Sequence, residues 1–487
     1  MNYRMIACVM GRILLTEAAL MSLPLLTALS YRESPWPFLL TMLLLTLIGA
    51  PLGWRTPKDT ALYARDGFAV VAAAWVLMSA FGAMPFVISG DIPRFVDAFF
   101  ETVSGFTTTG ASILTEIEPL HRGILFWRSF THWVGGMGVL VFVMAILPMS
   151  DGHGMHLMRA EVPGPSVGKL VSRMSESAKI LYEIYTVLTV LEIIILLLGG
   201  MPFFDSCVHA FGSAGTGGFS NRNLSVGAYQ NPFFDIVIGT FMLLFSVNFN
   251  LYYYLLIRRF AEVVKSETLW TFIGIVAASV LAIAANITAM YGSFFTSLRH
   301  AYFQVASIIS TSGFSTVDFD QWPAFSRAIL TVLMFIGACA GSTGGGIKVD
   351  RLIILVKASI RDMKKMLHPN AVASVRFEGK PLPERNIQGV HTFIAVYLMI
   401  FVVSYLLLSL EGFDLISTFT ALSACINNIG PGLGMVGPTG NFSAFSPASK
   451  LLLSFDMLVG RLEVFPMLLL FAPSIWSRRR LIRRNRF

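Results

Sequence analysis

Thr108-Thr-Gly-Ala-Ser112, Thr216-Gly-Gly-Phe-Ser220, Thr311-Ser-Gly-Phe-Ser315 and Asn428-Ile-Gly-Pro-Gly432 are four versions of one short passage in a single chain of 487 residues. Aligned on one glycine each, Gly110, Gly218, Gly313 and Gly430, they stand 108, 95 and 117 residues apart. Six positions before each glycine is a small residue: Ser104, Gly212, Ser307 and Ala424. Self-similarity at roughly fixed intervals marks a repeated structural unit. The surroundings repeat as well: a long apolar run, a short apolar stretch, the glycine-bearing loop, and a second long run.

Composition says what solvent these units face. Hydrophobic residues make up 55% of the chain and charged residues only 13%, about half the charge of ordinary soluble domains. So little charge cannot cover a water-exposed surface, and the chain reads as a polytopic membrane protein. The four cysteines, Cys8, Cys207, Cys339 and Cys425, lie in apolar stretches without paired or zinc-type spacing, so neither a disulfide framework nor a metal framework is expected. The apolar run to Leu29 after Arg4 and Arg12 reads as a retained first span, because no small-x-small cleavage site precedes Tyr31.

Ten runs approach the ~20 residues needed to cross a bilayer: Met5–Leu29, Pro37–Gly53, Phe68–Val87, Gly123–Pro148, Leu181–Gly200, Phe233–Ile257, Leu269–Tyr291, Arg327–Val356, Val390–Leu410 and Leu451–Pro473. Four shorter stretches, near 95–106, 203–214, 298–309 and 413–424, precede the glycine loops. At ~1.5 Å per residue they reach only ~18 Å and would be re-entrant. With the N-terminus inside, about three quarters of the 36 Lys and Arg fall on inner segments, as the positive-inside rule requires. The outer segments then carry more acids than bases, which favours cation approach. The net charge of +8 belongs to inner loops and does not indicate a nucleic-acid partner. The basic end, Arg478-Arg479-Arg480 to Arg486, anchors the topology beside anionic lipid.

The expected fold is an all-α integral membrane protein with two N-terminal helices and four span, short helix, loop, span repeats around one pseudo-fourfold axis. The boundaries are 1–66 for the extra pair, then 67–180, 181–268, 269–387 and 388–487 for the repeats. Four loops at membrane depth must be buried in protein or line a water-filled path. Meeting around an axis, they would turn carbonyl oxygens inward and replace the hydration shell of a bare cation. Glycine suits a backbone whose successive carbonyls face one way. The candidate ion-binding residues are Thr108, Thr109, Gly110, Thr216, Gly217, Gly218, Thr311, Ser312, Gly313, Asn428, Ile429 and Gly430. The hydroxyls of Thr108, Thr216 and Thr311 and the Asn428 amide would add oxygens one layer deeper, and each short helix would aim its negative C-terminal end at the centre.

The four loops resemble those of bacterial Trk potassium-uptake membrane subunits, in the TrkH/TrkG branch of the Trk/Ktr/HKT superfamily. Trp133-Val-Gly-Gly-Met-Gly138, Gly341-Ser-Thr-Gly-Gly-Gly-Ile-Lys348, His368-Pro-Asn-Ala-Val372 and Gly460-Arg-Leu-Glu-Val-Phe-Pro466 carry the same resemblance, from about residue 1 to Phe487. It implies potassium as the transported ion, a homodimer in the bacterial inner membrane with both termini cytoplasmic, and control by a cytoplasmic TrkA-type nucleotide-binding ring. No organic cofactor is implied on this chain. In related plant transporters a serine in place of the first loop glycine goes with sodium, so Gly110 points to potassium.

The eighth run holds Gly337-Ala-Cys-Ala-Gly-Ser-Thr-Gly-Gly-Gly346, with five glycines in ten residues. At up to ~1 kcal/mol each relative to alanine, they predict a break in the helix. The resemblance makes this the intramembrane gate: Gly341, Ser342, Thr343, Gly344, Gly345 and Gly346. A phosphate-binding loop is excluded because Lys348 follows Ile347 and Val349 stands where Ser or Thr is needed. Arg461 is the basic residue nearest the middle of a span, at a cost of about 2.5–3.5 kcal/mol on translocon scales. Asp456 and Glu463 lie nearby at spacings off the helical ladder. The match to the family arginine gives Arg461 a role as an electrostatic barrier under the loops.

His153 and His156 read as solvated loop histidines, and Glu17 and Glu192 sit in spans without evident partners. The nine basic residues between Lys348 and Arg385 suit an inner loop, and the resemblance makes them a docking surface for the ring. A coupled secondary transporter using protons or sodium is the alternative function, with Glu192 or Asp456 as relay groups. A membrane-embedded protease lacks its signatures: there is no HExxH and no Ser/His pair at motif spacing.

Overall fold

The computed structural model describes residues 1–59, 64–138, 174–370 and 373–471. Within them the architecture is helical, with one two-stranded hairpin, Arg376–Phe377 against Lys380–Pro381. Six helical stretches are long and apolar enough to cross a membrane: Tyr3–Ser30, Trp36–Gly53, Asp66–Ser89, Ala178–Leu198, Glu267–Tyr291 and Glu384–Glu411. Their outward faces are apolar and exposed, as along Leu398, Met399, Val402, Val403 and Leu406. That pattern suits lipid, where apolar groups need no covering.

The extra N-terminal pair packs on itself through Gly11 against Gly49 and Gly53. A methyl group at Gly49 would come within 2.9 Å of the Gly11 carbonyl oxygen, so small residues let these backbones touch. Each of the four repeats then opens with a long helix and continues with a short one. The short helices are Phe95–Phe106, Phe203–Gly215, Phe294–Ile309 and Leu415–Ile426. Nearly every residue in their C-terminal halves is buried, so they end inside the protein.

Three of the expected spans are interrupted, and a fourth, Gly123–Pro148, is described only in its first part. The run Phe233–Ile257 is two helices, Pro232–Phe245 and Phe249–Leu256, bent by 91°. The run Arg327–Val356 is Ala324–Ile336, an irregular stretch, and Val349–Leu367, as its glycines predict. In the last repeat Pro447–Arg461 stops and Phe465–Leu470 resumes. In the first, Arg122–Gly136 is followed by Met137 and by Gly138 in the left-handed region. The remainder of Gly123–Pro148, His153 and His156, the end of Leu451–Pro473, the basic tail from Arg478 and Ala371-Val372 lie outside the described residues.

Among the described residues, the closing helices of repeats 2, 3 and 4 break, and that of repeat 1 ends at Gly136. The cause is visible in the first and last repeats. A methyl group at Gly135 would overlap the Phe106 carbonyl, and one at Gly460 the Ile426 carbonyl. These two helices press directly on the C-terminal turns of the short ones, which brings their ends close to the point where the short helices end.

Candidate functional site

The four short helices terminate identically. The residue before each aligned glycine donates its amide to the small residue six positions upstream of that glycine: Thr109 to Ser104 at 2.8 Å, Gly217 to Gly212 at 2.8 Å, Ser312 to Ser307 at 2.9 Å and Ile429 to Ala424 at 2.8 Å. This reversed bond is the one that closes a helix through a left-handed residue. That residue is Thr108 (φ 56°), Thr216 (φ 57°), Thr311 (φ 63°) and Asn428 (φ 55°), and none is glycine. The aligned glycines are left-handed too, with φ of 79°, 76°, 78° and 98°. Four threonine or asparagine residues held where L side chains are disfavoured are a repeated backbone requirement.

The loops meet in a closed ring. A methyl group at Gly110 would overlap the Gly217 carbonyl oxygen, one at Gly218 that of Ser312, and one at Gly313 that of Ile429. At Gly430 the nearest atom would be the Thr109 carbonyl oxygen, at 2.8 Å. Loop 1 thus leans on loop 2, 2 on 3, 3 on 4, and 4 returns to 1. Four carbonyl oxygens, of Thr109, Gly217, Ser312 and Ile429, converge between neighbouring loops, and all twelve residues expected from the sequence lie in this ring. Left-handed residues on both sides of one ordinary residue turn successive carbonyls toward the same side, the arrangement a dehydrated cation needs.

One layer deeper the four repeats differ. The buried oxygens Thr108 Oγ1 and Asn428 Oδ1 have no hydrogen-bond partner, which leaves both able to face a cation. Asn428 uses its Nδ2 to donate to Thr109 Oγ1 at 3.0 Å and to the Met457 carbonyl at 2.9 Å. Thr216 Oγ1 donates to the Gly215 carbonyl at 2.6 Å. Thr311 Oγ1 accepts the Gly345 amide at 2.6 Å, so this hydroxyl is engaged by the irregular stretch of its own repeat. Of these four oxygens, those of Thr108 and Asn428 make no hydrogen bond, that of Thr216 donates and keeps its lone pairs, and only that of Thr311 has a lone pair taken.

That irregular stretch, 337–348, lies directly under the ring. It is laced into the break of the second closing helix: Cys339 N donates to the Ser246 carbonyl at 3.1 Å, Thr343 N and Oγ1 reach the Phe245 carbonyl at 3.3 and 3.1 Å, and Phe249 N donates to the Gly341 carbonyl at 2.9 Å. The freed backbone groups of the 91° bend are satisfied this way, as burial demands. Gly346 N donates to the Asn427 carbonyl at 3.1 Å, Ser342 Oγ to the Cys339 carbonyl at 2.7 Å, and Lys348 Nζ caps the Gly344 carbonyl. The six candidate gate residues Gly341 to Gly346 form the body of this stretch.

Arg461 joins it to the rest of the breaks. Its guanidinium donates to the Thr343 carbonyl at 2.7 Å and to the carbonyls of Gly135 and Gly136 at 2.6 and 2.5 Å. Those last two belong to the final turn of the first closing helix, so one side chain spans repeats 1, 3 and 4. Of the two nearby acids, Asp456 accepts from Ser404 Oγ at 2.8 Å, and Glu463 pairs with Arg351. Just beyond Arg461, Val464 sits at φ 68°, ψ −59°, and Phe465 N donates to the Glu463 carbonyl at 2.7 Å. This is the rare strained γ-turn, on a β-branched residue, and nothing in the residue types announces it.

Sequence reasoning also missed the groups behind the ring. Glu101, His209 and Gln304 all stand nine positions before their repeat's aligned glycine, and all are buried. The fourth repeat has Ala421 there. A polar residue recurring at a fixed offset inside an apolar short helix was the available signal. Glu17 and Glu192 are fully buried in their helices.

Comparison with known proteins gives the family and the fold. The TrkH family model, described as cation transport protein, matches residues 37–478. The Trk system potassium uptake protein TrkH of Salmonella typhimurium strain LT2 is 39% identical, covering 98% of this chain and all of that protein. Its Escherichia coli K12 counterpart is 38% identical over the same shares. A crystal structure of the potassium transporter TrkH from Vibrio parahaemolyticus superposes with a TM-score of 0.87 at 35% identity, covering 98% of this chain and 100% of that one. With its repeats, its closed ring of loops and full-length similarity to such relatives, the chain belongs to the TrkH family of cation transport proteins.

Proposed function

We propose that this protein takes up potassium across the bacterial inner membrane, with the ring of Thr108–Gly110, Thr216–Gly218, Thr311–Gly313 and Asn428–Gly430 as its selectivity filter. The closed succession of glycine-on-carbonyl contacts carries this reading, because it sets four backbone oxygens in one layer at the ends of four helices whose dipoles favour a cation. The potassium uptake proteins named among its relatives support the choice of ion. The stretch Gly341–Gly346 is the gate: it lies under the ring, touches the filter through Thr311, and is held shut by Arg461 and Lys348. Both termini are cytoplasmic, and the protein works as a homodimer.

Purified protein in proteoliposomes should take up radioactive rubidium. Unlabelled potassium should block that uptake and sodium should compete at least roughly tenfold less well, since carbonyl cages discriminate by coordination. Equal competition by both ions would sink the filter assignment. No flux from folded protein would be the closed gate, which addition of the regulator should relieve.

That regulator is a nucleotide-binding ring on the cytoplasmic face. Lys364 and Lys365 are exposed at the end of Val349–Leu367, the helix that leaves the gate stretch, so a partner bound there would pull on the gate directly. Reversing both to glutamate should abolish co-purification with the ring while leaving the protein folded, since exposed charges contribute little to stability. Undiminished co-purification would place the docking surface elsewhere.

A further inference from the structure

Behind the ring, the first closing helix carries two side chains one turn apart that both reach into loop 2. Arg128 donates through Nε to Glu101 Oε1 at 2.6 Å and through a terminal nitrogen to the Ser220 carbonyl at 3.0 Å. Its guanidinium lies 3.5 Å from the centre of the Phe219 ring. His132 accepts the Phe219 amide on Nε2 at 3.3 Å, and its Nδ1 faces the Gly105 carbonyl at 2.7 Å. Those partners assign the proton to Nδ1 and make the ring neutral. A methyl group at Gly217 would overlap that imidazole, so loop 2 rests against it.

Glu101 ties the same cluster to loop 1. Its Oε1 accepts from Ser112 Oγ at 2.9 Å, and its Oε2 accepts the Ile113 amide at 3.0 Å. The Arg128 and Glu101 side chains are 2% and 0% exposed. A buried ion pair is seldom kept for stability, because desolvation offsets its attraction. This one satisfies backbone and hydroxyl groups on two filter loops at once.

Elsewhere around the ring, among the described residues, the loops are held without a buried charge pair: Ser307 Oγ donates to the Phe314 carbonyl of loop 3 at 2.6 Å, and the Gly227 amide donates to the Ser315 carbonyl at 3.0 Å. In repeat 2, His209 Nε2 meets Ser220 Oγ at 3.1 Å. In repeat 3, Gln304 reaches Thr316 Oγ1 at 3.4 Å. In repeat 4 the corresponding Ala421 offers nothing, and Thr420 Oγ1 accepts the Leu433 amide instead at 2.9 Å.

We propose that Glu101 and Arg128, with His132, are positioning residues that fix the outer mouth of loops 1 and 2, so that ion discrimination depends on this buried pair. The side formed by loops 3 and 4 is tied in addition to the gate stretch, through Thr311 with Gly345 and Asn427 with Gly346. This rests on the filter assignment above, since the pair acts only through the loops it holds.

The test is rubidium uptake by full-length protein in proteoliposomes, read as the ratio of sodium to potassium concentrations that halve uptake. Arg128→Lys, which keeps the charge but loses the fork, and Glu101→Gln should each lower that ratio by roughly tenfold, because the loop carbonyls they hold are freed to shift. Ser112→Ala, which leaves the ion pair intact, should lower it by a smaller factor with melting temperature preserved. Lys450→Met breaks a second, less deeply buried pair, Lys450 with Asp97 at 2.6 Å, that touches no filter loop; it should lower the melting temperature and leave the ratio unchanged. A discriminating wild type whose ratio is unmoved by Arg128→Lys and Ser112→Ala overturns the inference alone. If Arg128→Lys does not fold, an unmoved ratio in Ser112→Ala overturns it. A wild type that does not discriminate overturns the filter assignment and this inference with it.

Discussion

Arg461→Ala is expected to raise rubidium uptake in the absence of any regulator by roughly ten- to a hundredfold. The estimate comes from charge: two unit charges about 5 Å apart at an effective dielectric near 20 repel by on the order of 3 kcal/mol, about two decades in rate. The guanidinium also clamps three carbonyls, of Thr343, Gly135 and Gly136. Its loss frees the gate stretch from the first closing helix and exposes acceptors to the ion path, and both effects favour cation passage. Arg461→Lys keeps the charge as a single point donor, which cannot span three carbonyls, so its uptake should fall between the two. The check is initial uptake rate per folded protein, and a rate equal to wild type in Arg461→Ala would refute the barrier role.

Gly110→Ser should act on discrimination and leave the gate alone. The position has φ 79°, which a residue with Cβ adopts at a cost of about 1–2 kcal/mol. Its Cβ would also overlap the Gly217 carbonyl oxygen. Serine can be seated only if loop 2 moves away, and that moves one of the four converging oxygens. Sodium, with its smaller radius and tighter hydration, then meets a less exacting cage. Half-inhibition of rubidium uptake by sodium is expected at concentrations roughly tenfold or more below those for wild type, with a modest fall in melting temperature. Unaltered competition would show that Gly110 does not border the ion.

Much of this arrangement is legible in the residues because the requirement is repeated. A glycine four times in register, with a small residue six positions earlier, pointed to one loop conformation. The bond from each residue before the glycine back to Ser104, Gly212, Ser307 or Ala424 gives the small residue its reason. The glycine-dense stretch 337–346 was equally readable, since five glycines oppose a helix whatever surrounds them. Features that depend on partners distant in sequence were not. The bend at Ser246–Asn248 falls within a run marked locally only by Ser246, Asn248 and Asn250, and the backbone groups it frees are bonded by the third repeat's loop, about ninety residues on. Thr311 looks like Thr108 in sequence, yet one hydroxyl is taken by Gly345 and the other is free. Val464 has strong β propensity but sits in a γ-turn closed by the Phe465 amide on the Glu463 carbonyl.

The succession of glycines and carbonyls resembles a reciprocal frame, the roof in which every rafter rests on the next and none stands on its own post. Such a frame has a handedness: load placed on one rafter passes round in one direction before it returns. Crowding at Gly110 therefore presses on loop 2 through the Gly217 carbonyl, while loop 4 meets loop 1 on the other side through Gly430. The aperture belongs to no single loop, because lifting one rafter opens every gap by a share. An ion is gauged by the frame as a whole, which is how four unlike sequences can serve as one ruler.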